Sequence, residues 1–64
     1  MKTVGLNVKR RRLVRKLTQQ QLAERVGRTQ SLIAQIETGT YTPGLAMLVR
    51  IAKVLKTTVS ELVK

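Results

Sequence analysis

Residues 18–39 read TQQQLAERVGRTQSLIAQIETG, and this stretch decides the fold. Thr18-Gln19-Gln20-Gln21 is a capping box, in which the Thr18 hydroxyl takes a free first-turn amide and Gln21 reaches back. Leu22, Ala23 and Val26 form the apolar stripe of the helix it opens, and Gly27 ends it in the left-handed conformation. Thr29 caps a second helix, which buries Ile33 and Ile36 and stops at Gly39. About three residues centred on Gly27 separate the two, the length and chemistry of a helix-turn-helix corner, which crosses at about 90–120°. Ala23 is small where the helices come closest. With Ile33 and Ile36 turned inward, the second helix must show Gln30, Ser31, Ala34 and Gln35 to solvent. That face is uncharged and rich in amide and hydroxyl groups. Gln pairs bidentately with adenine, and Ser bonds to several base edges.

Outward from this corner the chain divides at its glycines and its one proline, with Gly5 the first divider. A first helix is expected from about Leu6 to Lys16, with Leu6, Leu13 and Leu17 on one side and Val8 nearby. Its remaining surface is cationic, and the stripe Lys9-Arg12-Lys16 is placed to lie over a polyanion backbone. After the loop Thr40-Tyr41-Thr42-Pro43, Leu45, Leu48, Ala52 and Leu55 repeat at helical spacing to about Leu55. Met47, Ile51 and Val54 widen that face, which predicts the central buried helix. Thr58-Val59-Ser60-Glu61 is a second capping box, opening a short last helix with Val59, Leu62 and Val63 as apolar contacts. Val14 and Leu32 are expected at the surface. The reading is all-α: one compact five-helix domain over residues 1–64.

Composition narrows the function. In 64 residues there are 13 Lys+Arg against three acidic residues, all Glu, for a net charge of +10. With no Asp, His or Cys, the chain has no triad, carboxylate dyad, disulfide or transition-metal cage. An enzyme is a poor hypothesis, and neither a metal nor a cofactor is implied. The charge calls for a polyanionic partner but leaves DNA, RNA and anionic lipid open. Tyr41 is the only aromatic, which argues against base-stacking platforms. The deep major groove of duplex RNA admits no helix. Caps that specify a fixed globule speak against a membrane-active peptide. No apolar run nears the roughly 18 residues of a membrane span. The basic N-terminus carries no signal-peptide pattern, so a cytoplasmic location and no membrane partner are expected.

The motif above, the loop residue Pro43 and the tail LVRIAKVLKTTVSEL together resemble the phage-repressor and Cro type of helix-turn-helix protein, the XRE family. The likeness runs from about Leu6 to Val63, with Gln19, Leu22, Ala23, Val26, Gly27, Ile33, Ile36, Glu37 and Gly39 matching at the family's spacing. It implies a lambda-repressor-like fold, with the helix-turn-helix at about 18–38 and the second of its helices in the major groove. The implied partner is double-stranded DNA, and the implied function is transcriptional regulation, chiefly repression, in a prokaryote or phage. Gln30, Ser31 and Gln35 take the base-contact positions. Gln19 takes a phosphate position, where it also steadies Gln30. Arg12, Arg28, Thr29, Thr40, Tyr41 and Thr42 complete the phosphate set, with backbone amides at the starts of helices two and four. Arg12 and Glu37 occupy the places of a structural ion pair. Thr40 and Thr42 stand where Lys or Arg is frequent, and Arg28 where an apolar residue is usual. The family reads palindromes as dimers, and a weak homodimer through Val59, Leu62 and Val63 is expected. A toxin is the alternative partner, should the chain be an antitoxin.

Overall fold

Capping chemistry sets where the helices begin. The computed structural model describes residues 2–64, with side chains from residue 3; Met1, part of the stretch read for a targeting signal, lies outside them. Five helices follow in order: α1 (Lys2–Val14), α2 (Gln19–Val26), α3 (Gln30–Thr38), α4 (Leu45–Leu55) and α5 (Val59–Leu62). At α2 the capping box is complete: Thr18 Oγ1 accepts from the Gln21 amide at 3.0 Å, and Gln21 Oε1 accepts from the Thr18 amide at 2.9 Å. Thr29 and Thr58 cap α3 and α5 with the hydroxyl alone, accepting from Leu32 N–H and Glu61 N–H. The second expected box is only half formed, because the Glu61 carboxylate pairs with Arg11 at 3.4 Å and Lys64 at 3.1 Å. Gly27 sits at φ 72°, and the next amide, Arg28 N–H, reaches back to the Ala23 carbonyl at 2.8 Å. This closes α2 and turns the chain into α3.

The helices enclose one core, built from Val4, Val8, Leu17, Leu22, Ala23, Val26, Ile33, Ile36, Met47, Leu48, Ile51, Ala52, Leu55 and Leu62. α4 gives it five side chains, more than any other helix, and packs on α2, α5 and α1. Leu45, read as part of the apolar face, is 70 % exposed at the first position of α4. Leu32, expected at the surface, packs against the core. Among the described residues no helix is long and apolar enough to cross a membrane.

The first helix departs most from the expectation. It starts four residues before Leu6 and ends at Val14, so its inner face is Val4, Val8 and Arg12, spaced by four. Leu6 and Leu13, expected inside, are more than half exposed on the other side, whereas Leu17 is buried beyond the helix end. Gly5 is not a divider. It lies within α1, where its backbone presses on the last turn of α3. A Cβ there would run into the Ile36 carbonyl oxygen and lie 2.7 Å from that of Glu37, both of them backbone atoms.

Helix propensity alone makes Gly5→Ala stabilising by roughly 0.5–1 kcal/mol. The contact reverses the sign: parting α1 from α3 should destabilise by about 1–3 kcal/mol, as for other overpacked sites. Urea unfolding of the variant checks this, and an unchanged or raised midpoint would contradict the close approach.

Candidate nucleic-acid interface

The α2–α3 corner presents one face of α3 to solvent. Gln30, Ser31 and Gln35 are exposed on it, and Ala34 is half-buried between them. None of the three polar side chains has a hydrogen-bond partner among the described residues. They are neither turned inward nor capped, so amide and hydroxyl groups stand ready for an external partner. Inward, Ile33 and Ile36 are fully buried and fix the rotation of α3.

The loop after α3 is tied to the same helix. The Gln35 carbonyl accepts from the amides of Thr40 at 2.9 Å and Tyr41 at 3.1 Å, and from the Thr38 hydroxyl at 3.3 Å. Thr38 and Thr40 share a further hydroxyl bond of 3.1 Å. Thr40, Tyr41 and Thr42 are all exposed beside the C-terminal end of this face. Pro43 is buried below them. α4 then begins at Leu45 behind Gly44, an N-cap residue with no side chain to meet its first-turn amides. At the other end of α3, Arg28 is exposed in the turn, and the Thr29 oxygen accepts from Leu32 N–H at 3.2 Å.

Below this face lies a buried polar network. Arg12 and Glu37 are each 7 % exposed. Arg12 Nε donates to Glu37 Oε2 at 2.7 Å, Nη2 to Oε1 at 3.1 Å, and Nη1 to the Leu17 carbonyl at 2.7 Å. The pair joins α1 to the last turn of α3, and the third bond ties in the α1–α2 connection. Arg12 is thereby taken off the surface, with three of its five N–H groups engaged inside the protein. The stripe Lys9-Arg12-Lys16 is broken with it, since Lys16 lies past the helix end at φ 57°. Two more arginines of this run hold the fold together. Arg11 pairs with Glu61, and Arg15 donates to the Leu55 carbonyl at the end of α4, 3.2 Å away.

Gln19 is the other member of the network. Its Nε2 donates to Glu37 Oε1 at 3.1 Å, and no bond joins it to Gln30, which the resemblance implied it would steady. No sequence signal marks the bond to Glu37, which joins residues eighteen apart. At the far end of the molecule Leu62 is fully buried in the core. It is therefore removed from the expected dimer contact, leaving Val63 exposed and Val59 half-buried.

A five-helix bundle with a glycine corner and an unpartnered amide face on its third helix is a helix-turn-helix domain of the phage-repressor type. The helix-turn-helix family matches residues 8–62, and the chain belongs to it. Over 61 residues the chain is 44 % identical to the immunity repressor protein of Bacillus phage phi105, covering 95 % of this chain and 42 % of the repressor. Over 44 residues it is 50 % identical to an uncharacterised helix-turn-helix-type transcriptional regulator of Sinorhizobium fredii, covering 69 % of this chain and 22 % of that protein. The chain thus spans less than half the length of either relative. The restriction-modification controller protein C.AhdI from Aeromonas hydrophila has the same fold, with a TM-score of 0.90 at 24 % identity. That match covers 95 % of this chain and 92 % of the controller.

Removing one partner of a buried pair leaves the other charge unmatched, so Arg12→Ala should destabilise by about 3–5 kcal/mol. Replacing both, as Arg12→Met with Glu37→Leu, should leave stability within roughly 1 kcal/mol of wild type or raise it. Equal losses in both variants on chemical denaturation would contradict this account of the pair.

Proposed function

We propose that the chain is a sequence-specific double-stranded DNA-binding transcriptional regulator, a repressor, that lays α3 in the major groove. The observation that carries this is the face of Gln30, Ser31 and Gln35: exposed, uncharged and without partners within the protein. Its amides each carry both donors and an acceptor. They match base edges, where Gln30 would take adenine through N6 and N7 and Ser31 a neighbouring base. Gln35, a turn further along, reaches base or backbone. Phosphates are taken by Gln19, Arg28 and the Thr29 hydroxyl, by Thr40, Tyr41 and Thr42 in the loop, and by the first-turn amides of α4. These contacts set register, while the α3 side chains read sequence.

The size of the domain bears on its mode of binding. Its Cα extents are 24 × 23 × 20 Å. Half-sites one turn of duplex apart lie about 34–36 Å from centre to centre, so a palindromic operator takes two copies. Val63 and the half-buried Val59 offer little area for pairing. The dimer is accordingly weak in solution and is completed on DNA.

Selection from random duplexes should therefore enrich a palindrome with half-sites spaced by one helical turn. Against the selected site, Gln30→Ala should lose about 1–3 kcal/mol of discrimination at one base pair per half-site. If the variant kept the wild-type preference at every position, Gln30 would not be reading a base.

A further inference from the structure

Three glutamines stand in a row at the start of α2, and the structure gives each a different task. Gln21 completes the cap on Thr18. Gln20 bonds to Glu24, one turn on, at the surface. Gln19 reaches across to the buried pair, where Glu37 Oε1 receives both its Nε2 and the Nη2 of Arg12, each at 3.1 Å. Glu37 is itself immobilised, since it is buried and held by two guanidinium N–H groups, and Arg12 is fixed in turn by the Leu17 carbonyl. A half-buried side chain fastened to such a group shares its rigidity. Gln30 and Gln35 have no such tether.

The bond to Glu37 uses one of the two N–H groups of the Gln19 amide. The second N–H and the carbonyl oxygen have no partner among the described residues. A bare carboxylate beside this amide would repel a phosphate. Here the charge of Glu37 is matched by Arg12, so it can orient Gln19 without adding a net negative charge to the surface.

We propose that Glu37 is a positioning residue for Gln19, holding its amide before DNA arrives so that the second Nε2–H is ready for a backbone phosphate. This rests on the DNA-binding reading above and deepens it. The rotamer freedom of Gln19 is lost on folding instead of on binding, which preserves the binding energy of the contact. The contact is neutral, so it releases no counterion and adds nothing to the salt dependence. It touches no base, so it acts alike on every sequence.

The free wild-type protein supplies a test that needs no variant. Side-chain NH2 relaxation by ¹⁵N NMR should give Gln19 an order parameter near that of rigid backbone, with Gln30 and Gln35 below about 0.6. A Gln19 amide as mobile as those two overturns the proposal. Titration of a selected and an unrelated duplex supplies the second test. Gln19→Ala should weaken both about two- to tenfold, the range for one net hydrogen bond, with the salt slope unchanged. The charge-neutral swap Arg12→Met with Glu37→Leu should lose the same factor, and adding Gln19→Ala to it should lose no more. Additive losses would show that Glu37 does not act through Gln19, while the DNA-binding reading stood. A wild type that bound no duplex would remove both. Should the swap fail to fold, the relaxation result on the wild type decides the question.

Discussion

The placement of α3 depends on the buried pair of Arg12 and Glu37. Glu37 lies in the last turn of α3, where the helix dipole disfavours a carboxylate, and it is withdrawn from water. Both effects raise the free energy of its charge, and Arg12 opposes both through two parallel N–H···O bonds. At an effective dielectric near 20 the attraction is about 4 kcal/mol at 4 Å, whereas desolvation takes several kcal/mol from each ion. The net gain in stability is small. The larger effect is on geometry, because only one register of α1 against α3 satisfies a buried carboxylate. Gly5 fixes the same register by another means, letting the α1 backbone meet the Ile36 and Glu37 carbonyls. Contact at Gly5 and charge at Arg12, two turns apart on one face of α1, set the angle at which α3 leaves the core.

A net charge of +10 describes the long-range field of the molecule but not which cations can meet a ligand. In α1 and the turn after it, Arg11, Arg12 and Arg15 are engaged with Glu61, Glu37 and the Leu55 carbonyl. These residues fasten helices to one another. Lys9, Arg10 and Lys16 of the same run, with Arg25, Arg28, Arg50, Lys53 and Lys56 elsewhere, have no partner among the described residues. Half of the cationic run that dominates the sequence is thus structural, and the cations left for short-range contact are Lys9, Arg10 and Lys16 with the scattered ones.

Local chemistry was legible in the sequence, and contacts across the fold were not. Thr18 with Gln21, Thr29 and Gly27 act within a few residues of themselves, so α2, the corner and α3 could be read from their letters. The span of α4 could be read as well, because its apolar spacing is dense. In α1 the apolar residues fall on both faces, and periodicity could not tell Val4 and Val8 from Leu6 and Leu13. The packing of Gly5 on α3 and the pair of Arg12 with Glu37 select the inner face, and both contacts join parts of the chain far apart in sequence. The end of α1 was hidden for a related reason: Lys16 takes a left-handed conformation where a glycine would be the usual sign. There a cation at a helix C-terminus offsets some of the strain through the dipole. Of the interface, the exposure of Gln30, Ser31 and Gln35 follows from their spacing relative to Ile33 and Ile36. The hold of Glu37 on Gln19 follows from nothing local.

This contrast separates two kinds of polar side chain on one surface. A phosphate contact is the same at every step along the duplex, so the group that makes it gains by being set in advance. A base contact has to distinguish four edges, and its selectivity lies in the unmatched donor or acceptor that a wrong base leaves behind. A charged reader would weaken that distinction, since a cation finds phosphate attractive beside any base. An amide gains little until both its donor and its acceptor are met. The bundle keeps carboxylate and guanidinium below the exposed face of α3 and leaves neutral amides upon it, the arrangement that the proposed reading of bases requires.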